Sequence, residues 1–207
     1  QQKITQANTQ YQKEIVVKNI LAVLIGLSVF GAIYALQHQN RKNIHLGGKS
    51  ALSLLGFAHY IEMNNTSLSF FAQTGYKLPK WFKNNREWKN HKLICSSFLP
   101  PQLGTMDYDL GNFKIKISTP ARAMMECLEI APKKFDLAEA YLIMEGLTSL
   151  KPGDVQELLE ACNSVKVKRL FLYFSEVSNH TWFKYLDIDK INLGSGKRSV
   201  VKDGMYN

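Results

Sequence analysis

In FKIKISTPARAMMECLEI, from Phe113 to Ile130, a strand signal is followed directly by a helix signal, which makes this segment the most informative one for the fold class. Phe113, Ile115 and Ile117 alternate with lysines, which is the period of a strand with one buried face. In Ser118-Thr119-Pro120, a hydroxyl can cap the first free N–H groups of a helix, and proline is tolerated at the first helical position. The sequence therefore predicts that a β region gives way to a helical region at Ser118.

The region before this switch is predicted to be mostly β. SLSFFA, from Ser67 to Ala72, and KLICSSF, from Lys92 to Phe98, are short runs typical of strands. Asp109-Leu110-Gly111-Asn112 is a hairpin-turn signal in front of the strand that begins at Phe113. These three strands and the turn form the β part of the predicted fold.

Residues 43–61 predict a short helix that is entered through the pair Gly47-Gly48. The tripeptide Gly48-Lys49-Ser50 invites comparison with a phosphate-binding loop. That motif needs a glycine where Asn43 stands, so the comparison fails. We expect the two glycines to form a tight entry to the helix instead.

Residues 118–186 are predicted to form a block of four helices, of which the first begins at Pro120. The second begins after Asp136, which gives a capping-box pattern with Glu139, and the third runs from Lys151 to about Cys162. The fourth follows an apolar stripe at helical spacing, formed by Val167, Leu170, Phe171 and Phe174. Residues 188–206 are expected to form a hairpin that is cut off in its second arm, so that the chain ends before its domain does.

The predicted fold class is therefore α/β (α+β). It comprises an N-terminal hydrophobic helix, a small helix-plus-strand segment, and a mixed sheet packed with a block of about four helices. The predicted domains are residues 1–36, a polar leader plus the hydrophobic helix, residues 37–75, and residues 76–207.

The run ILAVLIGLSVFGAIYAL, from Ile20 to Leu36, contains no charged residue over its 17 positions. This is the shortest length that crosses a bilayer, and the lysines and arginine on its two sides leave an orientation undecided. A membrane anchor and a buried hydrophobic helix are both compatible with the run. No other part of the sequence is apolar over a sufficient length.

The formal net charge of +9 lies entirely in the first half of the chain. Residues 1–103 carry 12 basic and 3 acidic side chains, whereas residues 104–207 carry 14 of each. A localised positive charge favours an anionic partner. An apolar fraction of 45% is enough for a core and excludes a wholly disordered chain.

Residues for catalysis or metal binding are sparse in the sequence. The three cysteines are widely spaced, so they predict neither a disulfide framework nor a zinc site, and a reducing compartment is the simpler interpretation. The histidines form no zinc-binding pair at helical spacing. The carboxylates of the helical block have the spacing of solvated helix faces: Glu126, Glu129, Glu139, Glu157 and Glu160. We therefore predict no enzymatic activity, no cofactor and no metal.

The basic segment, YKLPKWFKNNREWKNHK from Tyr76 to Lys92, is the strongest binding signal. It has a basic residue at every third position: Lys77, Lys80, Lys83, Arg86, Lys89 and Lys92. Several closely spaced cations release counterions when they meet a phosphate backbone, and interleaved aromatic rings can stack on bases. The alternative is a solubilising surface loop anchored by its two tryptophans.

The sequence resembles the AbiEi antitoxin family, the transcriptional-regulator half of type IV toxin–antitoxin systems. The matching stretches cover residues 31–207 in order: GAIYALQ (Gly31 to Gln37), IHLGGKSALSLLGFAHY (Ile44 to Tyr60), LPKWF (Leu78 to Phe82), STPARAMMECLE (Ser118 to Glu129), LKPGDVQELLEACNSVKVKRLFLYFSE (Leu150 to Glu176) and LGSGKRSVVKDGMYN (Leu193 to Asn207). Together these motifs are specific, although each alone is weak.

The resemblance implies an N-terminal winged helix-turn-helix that binds operator DNA and represses its own operon. It also implies a C-terminal α/β antitoxin domain that counteracts a nucleotidyltransferase-like toxin in phage abortive infection, without a stable complex. Residues 37–75 would then be a remnant of the winged-helix region. No recognition helix is predicted in residues 1–30, because an exposed DNA-reading helix cannot be an unbroken apolar run.

Two functional interpretations follow. The first is a cytoplasmic antitoxin and DNA-binding regulator with a basic surface. The candidate residues of that surface are the six of the basic segment together with Lys166, Lys168, Arg169, Lys197 and Arg198. The second is an interaction domain anchored in the inner membrane through Ile20 to Leu36, facing the cytoplasm, whose basic residues meet nucleic acid or anionic lipid.

Overall fold

The computed structural model describes residues 29–39, 43–58, 68–85 and 90–196. The described residues form seven α-helices and five strands. In chain order these are α1 (Val29–Gln39), β1 (Ile44–Leu46), α2 (Gly48–Leu54), β2 (Leu68–Ala72), α3 (Lys80–Lys83), β3 (His91–Cys95), β4 (Thr105–Asp109), β5 (Lys114–Ser118), α4 (Pro120–Ile130), α5 (Leu137–Gly146), α6 (Pro152–Ala161) and α7 (Val165–Val177). Two 3₁₀ turns follow, at Phe183–Tyr185 and Ile188–Lys190.

The five strands form one mixed sheet in the order β3-β2-β1-β5-β4. The central strand β1 pairs antiparallel with β2, where His45 lies opposite Phe71, and parallel with β5, where Leu46 lies opposite Ile117. Strands β2 and β3 are parallel over five residue pairs. This architecture confirms the predicted α/β class and the three predicted strands.

The strand β1 was not predicted. Its three residues, IHL, are too few to show a strand period. All three are buried because β1 occupies the middle of the sheet. The glycine pair that follows is the predicted tight entry to a helix, with Gly47 extended before α2 and Gly48 at a φ of +53°.

The predicted helical block is confirmed as α4 to α7. Asp136 caps α5 by accepting hydrogen bonds from the N–H groups of Ala138 and Glu139, at 2.8 and 3.1 Å. Helices α4 and α6 each begin with a proline. Helix α4 is buried from Ala121 to Leu128 and packs against α2, α5, α6 and α7, so it is the central helix of the block.

The described residues group into two compact units. The smaller unit contains α1, α3 and residues 109–115, and the larger contains residues 43–77, 90–108 and 116–196. In the smaller unit, the ring of Tyr34 on α1 meets Phe113 edge-on at 5.3 Å. The hairpin turn predicted at residues 109–112 is confirmed, since the N–H of Leu110 donates to the carbonyl of Phe113 and Gly111 has a φ of +89°.

Helix α1 contains the C-terminal part of the apolar run. Ala32, Ile33 and Leu36 are buried, whereas the positions before Val29 lie outside the described residues. Within the ranges that the structure describes, no helix combines the length and the apolar character needed to cross a membrane.

The hairpin predicted for residues 188–206 does not form in its first arm. Residues 188–190 make a 3₁₀ turn, and residues 191–196 contain no strand. The backbone is not extended there, because Gly194 and Gly196 have φ values of +66° and +84°, and the carbonyls of Leu193, Gly194 and Gly196 accept from the Arg169 guanidinium. The second arm falls on residues outside the described ranges.

Candidate functional site

The basic segment does not form one continuous helix, although its cations are spaced by three. Lys77 lies in a loop, Lys80 and Lys83 belong to the single helical turn α3, and Lys92 lies on β3. Pro79 is extended, with ψ at 155°, and so fixes the start of that turn. Arg86 and Lys89 lie outside the described residues.

The described lysines of the basic segment are exposed and carry no ion pair within the ranges that the structure describes: Lys77, Lys80, Lys83 and Lys92. By contrast, Lys49, Lys114, Lys116 and Lys190 each meet a carboxylate. The two aromatic residues of α3 have different environments, because Phe82 is fully buried and Trp81 is 43% exposed. The turn is therefore anchored by Phe82 and presents Trp81 between two lysines.

The basic candidates of α7 have structural partners. Lys166 donates to the carbonyls of Glu129 and Ala131 at 2.6 and 3.0 Å, and burial lowers the pKa of its ammonium although Glu129 acts against this. Arg169 donates to three carbonyls of the segment 193–196. Both side chains therefore bind backbone carbonyls of the larger unit.

Lys168 was predicted to be part of an exposed basic surface, but this prediction is wrong, because only 4% of the residue is exposed. Helix α7 is buried over a wider face than the apolar stripe indicates, and Leu172 and Ser175 are buried beside Lys168. Lys168 is therefore not part of an exposed basic surface. Lys197 and Arg198 lie outside the described residues.

A second site, the Glu126 network, lies in the larger unit and was missed in the sequence. Glu126 is fully buried, which corrects the expectation of a solvated carboxylate. Its Oε1 atom accepts from Nε2 of His45 at 2.7 Å and from Nε of Arg122 at 2.9 Å. Its Oε2 atom accepts from the hydroxyl of Ser118 at 2.7 Å and from the N–H of Gly48 at 2.8 Å.

Four donors fill the acceptor capacity of the Glu126 carboxylate and favour its charged form. Burial alone would raise the pKa of this carboxyl, but the charges of His45 and Arg122 and the hydrogen bonds from His45 and Ser118 hold it below the ordinary value. Glu126 is therefore ionised at neutral pH.

The Glu126 network joins parts of the chain that are distant in sequence. His45 comes from β1, Gly48 begins α2, Ser118 ends β5, and Arg122 lies one turn before Glu126 on α4. Arg122 also donates from Nη1 to the carbonyls of Pro100 and Leu103, which fixes the loop before β4. A Cβ on Gly47 would lie 2.2 Å from Oε2 of Glu126, so only glycine allows this approach.

The spacing of Arg122 and Glu126 is the one sequence signal that could have indicated the network. Two opposite charges at i and i+4 lie within ARAMMECL, a run otherwise rich in apolar residues. Such a pair on an apolar helix face indicates a buried ion pair. Nothing in the sequence around His45 or Gly48 indicates that these residues contact Glu126.

A cavity of about 390 Å³ opens beside the network, with His45 in its wall. The other wall residues include Asn43, Pro101, Gln102, Thr105 and Lys116. No group of histidine, cysteine, aspartate and glutamate side chains suitable for a metal ion occurs within the described part of the chain.

Comparisons with known proteins identify the class of protein. Residues 65–207 match a family of transcriptional regulators described as AbiEi antitoxins of type IV toxin–antitoxin systems, and residues 19–63 match the N-terminal domain of AbiEi antitoxin transcriptional regulators. The protein therefore belongs to the AbiEi antitoxin family, which confirms the resemblance noted in the sequence.

A solved structure shows the same fold. The crystal structure of the Rv2827c protein from Mycobacterium tuberculosis is similar with a TM-score of 0.51 and 14% sequence identity, covering 76% of this chain and 55% of that one. The chain thus spans about half the length of that protein. A search among curated proteins finds no significant match.

Proposed function

We propose that this protein is the antitoxin of a type IV system that counteracts a nucleotidyltransferase-like toxin in phage abortive infection, and that it binds the operator DNA of its own operon. The observation that carries the proposal is the family match over residues 19–63 and 65–207. The site of action in this proposal is the cytoplasm, where operator and toxin are found.

The basic segment is the proposed DNA-contacting element. Its exposed lysines have no carboxylate partner in the described ranges, so their charge is available to phosphates. Trp81 between Lys80 and Lys83 adds a ring that can pack on a sugar or base. Because phosphate contacts release counterions, this binding is expected to weaken steeply with salt.

The DNA part is tested by anisotropy titrations of a labelled duplex, taken from the region upstream of the operon, at several salt concentrations. The variant K80A/K83A removes two cations of the basic segment. The control K184A/K190A removes two cations elsewhere in the chain. The proposal requires a loss of affinity and a flatter salt dependence in the first variant alone, and equal behaviour of both would refute it.

The membrane-anchored interpretation depends on residues 20–36 as a spanning helix. Only Val29 to Leu36 of this run lie in the described part of the chain, where they belong to α1. We propose the antitoxin function first because the family match extends over the run itself, from residue 19 onward.

A further inference from the structure

Helix α3 is too short to lie along the major groove of a duplex as a recognition helix. Its four residues, Lys80–Lys83, span about 6 Å at 1.5 Å per residue. Asn84 ends the turn, and its N–H donates to the carbonyl of Lys80 at 3.0 Å. A recognition helix reads base edges with side chains spread over about two turns. The lysines of α3 can therefore meet phosphates, but α3 does not offer an extended surface to base edges.

The backbone of α3 is fixed by buried side chains and by its own hydrogen bonds. Phe82 is fully buried, and Leu78, four positions earlier, is only 5% exposed. The carbonyl of Pro79 accepts from the N–H groups of Phe82 and Lys83, both at 3.1 Å. The exposed side chains of the turn therefore start from an ordered backbone, which lowers the entropy that is lost when they bind a ligand.

Trp81 is an exposed aromatic ring between two cations. Of its surface 43% is accessible, whereas Trp182, the other tryptophan in the described ranges, is 3% exposed. The Phe82 ring meets the indole at 78° with the centroids 5.6 Å apart, so the two rings are not stacked. Lys80 and Lys83 are exposed on the same turn, and neither has a carboxylate partner in the described part of the chain. The turn thus combines a stacking surface with two charges that are available to phosphates.

Stacking on an indole ring needs a base whose face is open. In a duplex the neighbouring base pairs cover both faces, so a side chain stacks there only after a base step has been unstacked. Stacking on one base raises affinity by roughly five- to 150-fold, which is about the size of the loss caused by unstacking a duplex step. In a single strand most of that loss is absent. The arrangement of Trp81 and its two lysines therefore favours a single strand.

We propose that α3 binds single-stranded nucleic acid, with an unpaired base stacked on Trp81 and the adjacent phosphates at Lys80 and Lys83. The proposal rests on the proposed function, because it uses lysines of the basic segment that are assigned to operator DNA. It adds a second class of ligand to that element, an unpaired base with its phosphodiester chain. RNA and single-stranded DNA both present this chemistry.

The experiment titrates the full-length protein with four labelled ligands, followed by anisotropy and by tryptophan fluorescence. The ligands are a DNA strand, an RNA strand, an abasic DNA strand that keeps its phosphates but lacks bases, and the operator duplex. The variant W81A removes the ring, and W81F keeps an aromatic side chain. The matched control is Y185A, because Tyr185 is 68% exposed with the Lys184 ammonium 5.0 Å from its ring centroid, yet belongs to the larger unit.

We expect the intact single strands to bind and to quench the indole fluorescence. W81A should weaken this binding about tenfold, W81F should recover most of it, and Y185A should leave it unchanged. The abasic strand should bind the wild type about tenfold more weakly than the intact strand does, and W81A should show no such difference. The operator duplex should bind W81A within about twofold of the wild type, because its phosphate contacts remain. Tighter binding of the RNA strand identifies RNA as the preferred ligand, tighter binding of the DNA strand identifies single-stranded DNA, and both results support the site.

The proposal is overturned if no single strand binds, if the abasic strand binds the wild type as tightly as the intact one, or if W81A weakens single strands and duplex equally. Binding of the operator duplex alone overturns it and leaves the operator part of the proposed function intact. Binding of single strands through Trp81 without binding of the duplex supports it and refutes that operator part. Thermal unfolding checks the fold of W81A, and the abasic strand decides the question without any substitution.

Discussion

Nε2 of His45 lies 2.7 Å from Oε1 of Glu126, although 81 positions of sequence separate the two residues. The contact joins the central strand β1 to the central helix α4. Because both side chains are almost fully buried, it forms only when the sheet and the helical block are assembled together. The Glu126 network therefore forms only in the native fold of the larger unit.

Removal of the Glu126 charge should destabilise the protein strongly. In E126Q, Arg122 remains buried without its carboxylate partner, and breaking a buried ion pair in this way costs about 3–5 kcal/mol of unfolding free energy. Urea unfolding measures the change. E157Q on α6 is the control, because Glu157 is exposed, and it should stay within about 0.5 kcal/mol of the wild type. Equal stability of the two variants would disprove the role of the network.

The ionisation of Glu126 should make the stability of the protein depend on pH. The pKa of Glu126 is lower in the folded state than in the unfolded chain, so its contribution is complete above the ordinary glutamate pKa. The contribution is lost as the pH falls through the lowered folded-state pKa. The stability difference between wild type and E126Q should therefore shrink between about pH 6 and pH 3 in urea titrations. A difference that is constant over this range would contradict the assignment.

Gly47 should be intolerant of any side chain. A Cβ at this position would lie 2.2 Å from Oε2 of Glu126 and 2.6 Å from Cδ2 of Phe71. We expect G47A to lose about 1–3 kcal/mol of stability through overpacking. G146A is the matched control, since nothing lies within 4 Å of its Cβ, and alanine at the end of a helix is neutral or stabilising. Unchanged thermal unfolding of G47A would show that the close approach is absent.

Arg169 should act through the segment 193–196 and not through nucleic acid. R169K keeps the charge but cannot reach the three carbonyls that the guanidinium fork holds. Hydrogen exchange of the amides of residues 191–196 should be about tenfold faster in R169K, because bonds worth about 1 kcal/mol or more are lost. DNA affinity should stay close to that of the wild type. If hydrogen exchange in R169K stayed as slow as in the wild type while DNA binding weakened, Arg169 would instead belong to the DNA-binding surface.

The basic segment makes a quantitative prediction for DNA binding. Each phosphate contact contributes about −0.9 to the slope of log K against log salt, so K80A/K83A should flatten the slope by about 2. The lysines of K184A/K190A lie on the surface after α7, and their removal should leave the slope unchanged. An identical slope in K80A/K83A and wild type would exclude α3 from the interface.

The local elements of the fold could be predicted from the sequence, because their signals are local. The alternation before Ser118, the start of α4 at Pro120 and the cap at Asp136 belong to single turns or strands, and the structure confirms them. The hydroxyl cap expected before α4 does not form, because the hydroxyl of Ser118 donates to Glu126 instead. By contrast, β1 has only three residues, and only its pairing with β2 and β5 makes it a strand. Such pairing is not encoded in the three residues themselves.

The buried charges could not be predicted in the same way. Glu126 has the spacing of a surface carboxylate, and its burial depends on His45, Gly48 and Ser118, which come from other elements. Lys168 was expected on the open side of a single apolar stripe, but α7 is covered over a wider face. In both cases the tertiary environment decides the exposure of a polar residue.

Rescue of growth is the decisive measurement for the proposed antitoxin function. Cells that express the proposed nucleotidyltransferase-like toxin should stop growing, and co-expression of the full-length chain should restore their growth. E157Q should rescue as well as the wild type, which controls for expression of a variant. If the full-length chain is expressed and folded but does not restore growth, the antitoxin function proposed for this protein is contradicted.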